Sequence, residues 1–462
     1  MDYMQLLDKI DKLLWGPPLL ILLVGTGILL TLRLKLLQVM KLPMALKLIF
    51  TAKNDGSGDI KSFGALCTAL AATIGTGNIV GVATAVKAGG PGAIFWMWVA
   101  AFFGMATKYA EGVLAVKYRT VDKNGQISGG PMYYIERGLG SKFRPLAIMF
   151  AVCGILVAFF GIGTFPQVNA IVESVQITFG VSIYVTAAIL TLLVMLVTLG
   201  GLKRITSVTS TVVPFRAVFY VLICLITLVA NAEQVPTAAK LIIESAFTGT
   251  AAAGGFLGAS VLLALQMGVA RGVFSNESGL GSAPIAAAAA KTKWPAEQGL
   301  VSMTGTFIDT IIVCTMTGLT LVVTGVWCGD AAGAAMTQQA LGTTLPGIGP
   351  VLLTVGLSLF AFTTILGWNY YGERCCEYLF GVKGILPYRL IFIGLIATGA
   401  FLKLDAIWLI ADIVNGLMAI PNLIALLALS GVVVLETKRY FDHLEQQKLG
   451  KYQTVGDKKQ VG

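Results

Sequence analysis

The sequence predicts an all-α integral membrane protein, and three observations support that class. Of the 462 residues, 56% are hydrophobic and only 12% are charged, whereas soluble domains carry about 25% charged residues. The mean hydropathy is +0.82. Apolar runs recur along the whole chain, and each is close to the roughly 20 residues that a helix needs to cross a bilayer. A soluble protein of this composition would need an implausibly large core.

Eleven apolar runs are predicted to be transmembrane helices. A bilayer leaves no water to satisfy an open backbone, and the alternating strands of a barrel are absent. The N-terminal stretch MDYMQLLDKIDKLLWG is amphipathic and starts without a basic region, so the first span is expected to remain in the mature protein. The predicted spans are 16–38, 63–86, 91–117, 145–175, 181–201, 207–231, 257–286, 298–326, 346–370, 385–402 and 405–436.

The loop charges predict the orientation of these spans. Most lysines and arginines fall on one side, and the opposite side receives only Lys9, Lys12, Lys87, Lys240 and Lys403. This positive-inside bias places the N-terminus outside and the C-terminus in the cytoplasm. The net charge of +10 therefore reflects membrane topology and does not indicate a nucleic-acid partner.

Residues that many enzymes need are scarce. The single histidine, His443, lies in the polar tail, and the seven cysteines follow no pairing pattern. A histidine-based zinc site or a Cys–His nucleophile is therefore not expected. No Gly-x-x-x-x-Gly-Lys-Ser/Thr loop is present, which argues against an ATP-driven pump. Glu277 and Asp309 are the acid–base candidates that a membrane-embedded enzyme would use, but no metal-binding pattern accompanies them.

The second span contains ATIGTGNIVG, residues 72–81, whose glycines and Asn78 disfavour a continuous helix. Each glycine in a helix interior costs about 1 kcal/mol relative to alanine. One alternative is close helix packing, which small residues also permit. A dinucleotide-binding fingerprint is a third option, but it lacks the strand–helix context that such a motif requires.

A second interruption favours the broken-helix interpretation. GVFSNESGLGSAP, from Gly272 to Pro284, places polar and helix-breaking residues inside the seventh span, five spans after the first break. Matched interruptions in two halves are typical of secondary transporters with inverted repeats. We therefore predict an N-terminal extracellular segment, an extra helix, two five-helix repeats of opposite orientation and a polar, disordered cytoplasmic tail. Their ranges are 1–15, 16–38, 63–231, 257–436 and 437–462.

A broken membrane helix can bind two kinds of ion. Free N–H groups at a new helix N-terminus attract carboxylates, since that end carries about half a positive charge. Free carbonyl oxygens at the facing C-terminus suit Na⁺. An amino acid accompanied by a coupling sodium ion fits this pairing.

Several long motifs resemble those of the alanine/glycine:cation symporters. They include TALAATIGTGNIVGVATA, GGPGAIFWMWVAAFFGMATKYAE, GGPMYYIERGLG, RGVFSNESGLGSAPIAAAAAKT, MTGTFIDTIIVCTMTGL, LGWNYYGERCCEYL and AIPNLIALLALSGVVV, and the match covers about residues 15–437. The resemblance implies the LeuT-type fold of the APC superfamily and the uptake of alanine and glycine with sodium, or in some members with protons.

The same resemblance implies residue roles when ATIGTGNIVG is aligned with the GLGN segment of the LeuT-type fold. Backbone N–H groups at Thr76 and Gly77 would bind the substrate carboxylate, with Asn78 beside it. Gln167 would reach the substrate or, alternatively, make an interhelical hydrogen bond. Large side chains would restrict the pocket to small substrates, although Met303 and Trp368 have an equally good core interpretation. The remaining pocket residues are Phe274, Ser275, Asn276, Met303 and Trp368.

The resemblance also implies a sodium site. Main-chain oxygens of Ala71, Ile74 and Phe360 would surround the ion together with the hydroxyls of Thr363 and Thr364. Mid-span hydroxyls also serve as packing groups, so that alternative stays open.

Arg271, Glu277 and Asp309 fall near mid-membrane depth by residue count. Each needs a partner, because an unpaired charge there costs at least about 2.5 kcal/mol. We expect Arg271 to pair with Glu277 or Asp309 in a gating or structural role. Lys108 and Glu111, three residues apart, suggest an ordinary helix pair. Neurotransmitter-type relatives carry a gate arginine where this chain has Gly81, which leaves Asp412 without an arginine partner from the first break.

The sequence thus predicts a multi-pass symporter of a prokaryotic cytoplasmic membrane that imports alanine and glycine with Na⁺. Proton coupling is the main alternative, with Glu277 or Asp309 as the titrating group, and an ion channel is a weaker one. No organic cofactor, nucleic acid or obligate protein partner is expected; the expected partners are the amino acids and the lipid bilayer.

Overall fold

Most of the residues that the computed structural model describes lie in helices, which confirms the predicted all-α class. The strands in this part of the chain form one short antiparallel hairpin, Thr120–Val121 (β1) paired with Ile127–Ser128 (β2). The structure describes residues 3–53, 55–248, 260–401 and 404–460.

Proline marks the beginning of many helices in the first half. Pro17, Pro43, Pro131, Pro145 and Pro166 each lie in the first turn, where a missing N–H leaves no hydrogen bond unmade. The α-helices before residue 249 are α1 (Tyr3–Leu14), α2 (Pro17–Arg33), α3 (Leu37–Met40), α4 (Leu42–Thr51), α5 (Ser62–Thr73), α6 (Val82–Gly89), α7 (Gly92–Lys117), α8 (Pro131–Leu139), α9 (Arg144–Phe160), α10 (Phe165–Phe179), α11 (Ile183–Thr198), α12 (Gly201–Ala230) and α13 (Val235–Thr248).

The second half repeats this helical pattern, with Pro284 and Pro295 again in first turns. Its α-helices are α14 (Val261–Asn276), α15 (Ala283–Ala288), α16 (Pro295–Thr306), α17 (Thr315–Val323), α18 (Gly333–Thr344), α19 (Ile348–Phe380), α20 (Ile385–Gly399), α21 (Leu404–Ala428) and α22 (Ser430–Gln460).

Many of these helices are long and apolar enough to cross a membrane. Among the described residues there are eight such spans, or nine when one bent pair is included. Two further predicted spans contain the shorter apolar helices α11 and α14. The count of eleven therefore stays a prediction. The start of the span predicted at 257–286 and the end of that at 385–402 lie outside the described residues.

The first break occurs where the sequence predicts it. The helix Ser62–Thr73 and the segment Gly77–Gly89 meet at a bend of 52°. The turn Gly77–Gly81 is π-helical, a wider winding that often marks functional sites. Asn78 stabilises the bend, because its Oδ1 accepts a hydrogen bond of 2.8 Å from the backbone N–H of Gly75.

The second break is longer and rests on unusual backbone conformations. It separates α14 from α15, and it contains three residues with positive φ: Glu277 at 57°, Gly279 at 89° and Gly281 at 83°. Only glycine adopts such angles without strain, so the two glycines allow the chain to turn here. Glu277 ends α14 in the left-handed conformation.

Helix α7 and helix α19 position the two breaks. Helix α7 packs against both α14 and α16, while α19 packs against α5, α10 and α12. The residues of both breaks are consequently buried. No surface of Thr76, Asn78, Ser275 or Glu277 is exposed.

The C-terminal region differs from the prediction. The last predicted span, 405–436, is divided, because α21 ends at Ala428 and α22 begins at Ser430. The expectation of a disordered tail from 437 was wrong, since α22 continues past that point. Its first turns pack on the bundle: Glu436 pairs with Lys117 at 2.8 Å, and His443 stacks on Trp294 with ring centroids 4.6 Å apart.

Candidate functional site between the two broken helices

The two breaks touch each other inside the bundle. A Cβ atom built on Gly77 would lie 3.0 Å from the Cα atom of Ser275 and 3.5 Å from the ring of Phe274. A side chain at position 77 would therefore push the second broken helix away from the first. The glycine is what lets the backbones of the two breaks approach.

Asp309 connects both breaks. It lies in a π-helical segment, Phe307–Cys314, and is fully buried. Its Oδ1 accepts a hydrogen bond of 2.8 Å from Nδ2 of Asn78 in the first break. Its Oδ2 accepts one of 2.9 Å from the hydroxyl of Ser275 in the second break and one of 2.8 Å from Thr310. Asn276 extends the cluster by donating to the Thr310 hydroxyl at 2.9 Å.

The surroundings of Asp309 suit a small hard cation. Among the described residues, no lysine or arginine lies within ion-pair distance of its carboxylate. The Asp309 carboxylate and the hydroxyls of Ser275 and Thr310 supply hard oxygen ligands, whereas the neighbouring asparagines present their amide nitrogens to the cluster. In the described part of the chain, no group of three or more His, Cys, Asp or Glu side chains is placed to hold a metal ion.

The predicted sodium ligands also come together, at another place. The hydroxyl oxygen of Thr364 lies 3.1 Å from the carbonyl oxygens of Ala71 and Phe360 and 3.4 Å from that of Ile74. The Thr363 hydroxyl donates to the Phe360 carbonyl at 3.1 Å. The five predicted groups thus surround one small volume where α5 ends beside α19.

Arg216, which the sequence analysis did not identify as a site residue, donates hydrogen bonds to the same oxygens. The guanidinium of Arg216, in the middle of α12, donates through Nη1 to the Phe360 carbonyl at 2.8 Å and to the Thr363 hydroxyl. Through Nη2 it donates to the carbonyls of Leu70 at 2.9 Å and Ala71 at 3.5 Å. An arginine in the centre of the span predicted at 207–231 was the signal that could have revealed it.

Gln167 supports the first break in this structure. Its Nε2 donates to the hydroxyl of Thr76 and to the carbonyl of Ile162, both at 3.0 Å, and its Oε1 lies 3.4 Å from the Thr76 N–H. The amide is therefore next to the backbone groups that were predicted to bind a carboxylate.

The three large predicted pocket residues, Phe274, Met303 and Trp368, are buried in one apolar core. Trp368 donates through Nε1 to Oε1 of Glu277 at 2.9 Å, and the Ser282 hydroxyl donates to Oε2 of the same carboxylate. Both carboxylate oxygens of Glu277 are thus satisfied by residues at or beside the second break.

Arg271 does not have the partner that was expected. It pairs with neither Glu277 nor Asp309, and instead donates through both terminal nitrogens to the two oxygens of Asp412 at 3.0 and 2.9 Å. The reason is the direction of α14: Arg271 lies over the Phe274 ring and faces α21, while Glu277 is turned away by its left-handed backbone.

The Arg271–Asp412 pair lines an open cavity of 390 Å³ together with Asp11 and Trp15. The pair is mostly buried, with side chains 18% and 8% exposed. The guanidinium carbon of Arg271 lies 5.5 Å from the centre of the Phe274 ring, which is fully buried beside Gly77. Contacts therefore run from the cavity through Arg271 and Phe274 to the first break.

Lys108 and Glu111 are not the ordinary helix pair that was predicted. Both are buried, and both support the second break from α7. Lys108 donates to the carbonyl of Glu277 at 3.2 Å, and the Glu111 carboxylate accepts from the Gly279 N–H at 3.1 Å and from Asn422 at 2.7 Å. Helix α7 faces the second break here, so backbone groups compete successfully for these side chains.

Comparison with known proteins gives consistent results. The model of the family described as the sodium:alanine symporter family matches residues 1–454. An uncharacterized transporter of Haemophilus influenzae is 62% identical over 96% of this chain and 97% of its own length. The sodium/alanine symporter AgcS of Methanococcus maripaludis is 52% identical over 95% and 98%. The probable sodium/glutamine symporter GlnT of Bacillus subtilis is 37% identical over 97% and 93%.

Solved structures of low sequence identity share the fold. MhsT in complex with L-phenylalanine superposes with a TM-score of 0.55 at 11% identity, over 82% of this chain and 98% of that one. A manganese transporter of Eremococcus coleocola gives 0.52 at 14% identity, over 83% and 82%. These neighbours have the LeuT-type fold, in agreement with what the resemblance of the sequence motifs implies.

Proposed function

Because the chain belongs to the sodium:alanine symporter family, we propose that it imports alanine and glycine together with Na⁺. Sodium-coupled amino-acid symport across a membrane is the activity that the family and its relatives share, and they are transporters rather than enzymes. The relative GlnT is named for glutamine, so the choice of a small substrate has to rest on the site itself.

The proposed architecture is eleven spans in two inverted repeats of five. Residues 63–231 form the first repeat and 257–436 the second, with 16–38 as an extra helix. One broken helix in each half, each contributing to one site, supports this arrangement. The loop charges support an extracellular segment 1–15 and a cytoplasmic tail 437–462 in a prokaryotic cytoplasmic membrane.

The substrate is proposed to bind where the breaks touch. The backbone N–H groups of Thr76 and Gly77 would take the carboxylate, and the Thr76 N–H would then exchange its long contact with Gln167 for the ligand. The close approach of Gly77 to Ser275 and to the buried Phe274 ring supports a space that only a very small amino acid can enter. The proposed substrate residues are Thr76, Gly77, Asn78, Gln167, Phe274, Ser275, Asn276, Met303 and Trp368.

The coupling ion is proposed to bind at Asp309. This is the observation that most favours sodium symport: a buried carboxylate without a cationic partner among the described residues joins both broken helices. A sodium ion there would satisfy the charge and lie beside the substrate. We prefer this position to the five predicted ligands near Thr364, because Arg216 already donates to three of them.

Alternating access would follow from movement of the broken helices. The Arg271–Asp412 pair is proposed as the outer gate, in the role for which the sequence offered no arginine at Gly81. When the pair opens, sodium and substrate would enter from the outer cavity. Sodium at Asp309 would then hold the two breaks together and favour closure.

The experiment that tests this function is labelled-alanine uptake into proteoliposomes. An inward sodium gradient is compared with choline replacing sodium, and competition by unlabelled glycine and glutamine is measured in parallel. We expect accumulation with sodium only, with glycine competing and glutamine not competing.

Other outcomes would point elsewhere. Accumulation driven by a proton gradient without sodium would replace Na⁺ by H⁺ as the coupling ion. Flux without a fixed charge-to-substrate ratio would favour a channel. No alanine movement under either gradient would refute the proposed substrate.

A further inference from the structure

Arg216 is a buried cation without an anionic partner. It lies in the middle of α12, has no measurable exposure, and forms no ion pair with any residue of the described part of the chain. An arginine guanidinium stays protonated in proteins. A charge at this depth is costly, and charged residues retained within a membrane are as a rule functional.

The groups that hold Arg216 are those of a metal-ion site. Two are carbonyls in the last turn of α5, where the helix dipole is negative: that of Ala71 and that of Leu70, which also accepts from the Ile74 N–H. The others, on α19, are the carbonyls of Leu359 and Phe360 and the Thr363 hydroxyl. Neutral oxygens from two helices surround the guanidinium, as they would surround Na⁺.

The guanidinium and a sodium ion compete for the same oxygens. Ala71, Phe360 and Thr363 belong both to the predicted sodium ligands and to the hydrogen-bond acceptors of Arg216. The face of the Phe360 ring adds a contact 4.9 Å from the guanidinium carbon, which favours a flat delocalised cation. The volume is therefore filled by a charge that the protein carries itself.

We propose that Arg216 is a tethered cation that replaces a second coupling sodium ion, so that the transporter moves one sodium ion with each substrate. The inference rests on the proposed function, with the exchangeable ion at Asp309. A tethered charge links α5 to α19 at every sodium concentration, because it cannot diffuse away. The sodium requirement then comes from the Asp309 site alone.

A purely structural arginine makes a different prediction. If Arg216 only capped the end of α5, neutralising it would lower stability and leave the number of bound sodium ions unchanged. If Arg216 replaces an ion, removing its charge leaves the carbonyl and hydroxyl oxygens near Thr364 free to bind a sodium ion from solution. Counting sodium ions therefore distinguishes the two roles.

The test measures sodium ions bound per protein with radioactive sodium, and the sodium-to-alanine ratio from reversal potentials in proteoliposomes. The variants are Arg216→Met, which removes the charge and keeps an unbranched chain, and Arg216→Lys, which keeps the charge. Arg204→Met is the matched control, because Arg204 is exposed on the same helix. Thermal unfolding checks that each variant is folded.

We expect one bound sodium ion in the wild type, in Arg216→Lys and in Arg204→Met, and two in Arg216→Met with a steeper sodium dependence of uptake. Two sodium ions in the wild type would overturn the inference without any variant being needed. A folded Arg216→Met protein that still binds one would overturn it as well. Sodium-independent alanine uptake by the wild type would instead refute the proposed function, so the two failures are distinct.

Discussion

The two broken helices contain similar residues but differ in how they are held. In the first break, Gly75 and Gly77 have ordinary φ angles, and what they provide is space: a Cβ on Gly75 would lie 2.4 Å from the Thr364 hydroxyl oxygen. In the second break, Gly279 and Gly281 have positive φ and provide the backbone turn itself.

Their polar groups differ in the same way. Residues of other helices satisfy the first break, chiefly Gln167 on Thr76 and Asp309 on Asn78. Charged side chains of α7 hold the second break, since Lys108 donates to the Glu277 carbonyl and Glu111 accepts from the Gly279 N–H. In the first break, the Thr76 N–H donates to Gln167 over a long distance of 3.4 Å, a contact that a ligand carboxylate can replace. The comparison therefore assigns ligand binding to the first break and a fixed turn to the second.

Replacing Asp309 by asparagine should have the largest effect on this comparison. The change keeps the shape and removes the charge that we assign to sodium binding. Removing one member of a buried charged pair costs about 2–5 kcal/mol, so the sodium concentration for half-maximal alanine uptake should rise by ~30-fold or more. This concentration is measured from the sodium dependence of alanine uptake into proteoliposomes.

The matched control is Glu277→Gln in the second break. Its amide can still accept from Trp368 or Ser282, and we expect a lower thermal midpoint with a nearly unchanged sodium dependence. If Glu277→Gln shifted the sodium curve and Asp309→Asn did not, the assignment of the two breaks would have to be reversed.

Substituting Gly75 with alanine tests whether space is what the first break needs. The new Cβ must displace Thr364, and overpacking of this kind costs about 1–3 kcal/mol. We expect slower uptake and a lower thermal midpoint. Gly81→Ala is the control, because no atom lies within 4 Å of a Cβ at that position. Equal losses in both variants would show that flexibility, not space, matters in this segment.

The positions of the breaks could be predicted because they depend on local composition. Glycine, asparagine and proline each make a helix less stable at whatever interior position they occupy. Residues 72–81 and 272–284 could therefore be identified as breaks from the sequence. The sequence also indicated that Asn78 and Ser275 need a cavity or a partner at mid-membrane depth, and both donate to Asp309 in the structure.

The partners of the buried charges could not be predicted, because helix packing decides them. Arg216 contacts Leu70 and Phe360 across 146 and 144 positions of sequence. Arg271 finds Asp412 across 141. The π-helical winding that presents Asp309 has no compositional signature. The helical tail was missed for the related reason that its order comes from tertiary contacts such as Lys117 with Glu436.

Replacing Arg271 by lysine tests whether the Arg271–Asp412 pair acts as the outer gate. Lysine keeps the charge but cannot make the two parallel hydrogen bonds to Asp412. Losing one bond to a charged group costs about 1.5 kcal/mol, so closure should weaken by roughly tenfold. Accessibility of a cysteine introduced at Gly81, where a Cβ atom meets no atom within 4 Å, measures that closure when it is probed with a membrane-impermeant thiol reagent in the presence of sodium and alanine. Unchanged labelling would remove the pair from the gate.

Replacing Gln167 by alanine should have the smallest effect, and it decides between the two roles that the sequence left open. The side chain donates to the Thr76 hydroxyl and the Ile162 carbonyl and accepts a long hydrogen bond from the Thr76 N–H. A net loss of about 0.5–1.5 kcal/mol is expected for one such bond. If Gln167 contacts substrate, the KM for alanine should rise by ~2–10-fold while the thermal midpoint without substrate falls only slightly. If it only braces the first break, the thermal midpoint should fall and the KM should stay the same. Asn169→Ala serves as the control on the same helix, because Asn169 donates to the Gly399 carbonyl on α20 and touches neither break. A fall in stability common to both variants with no change in KM would leave substrate binding at the first break to its backbone alone.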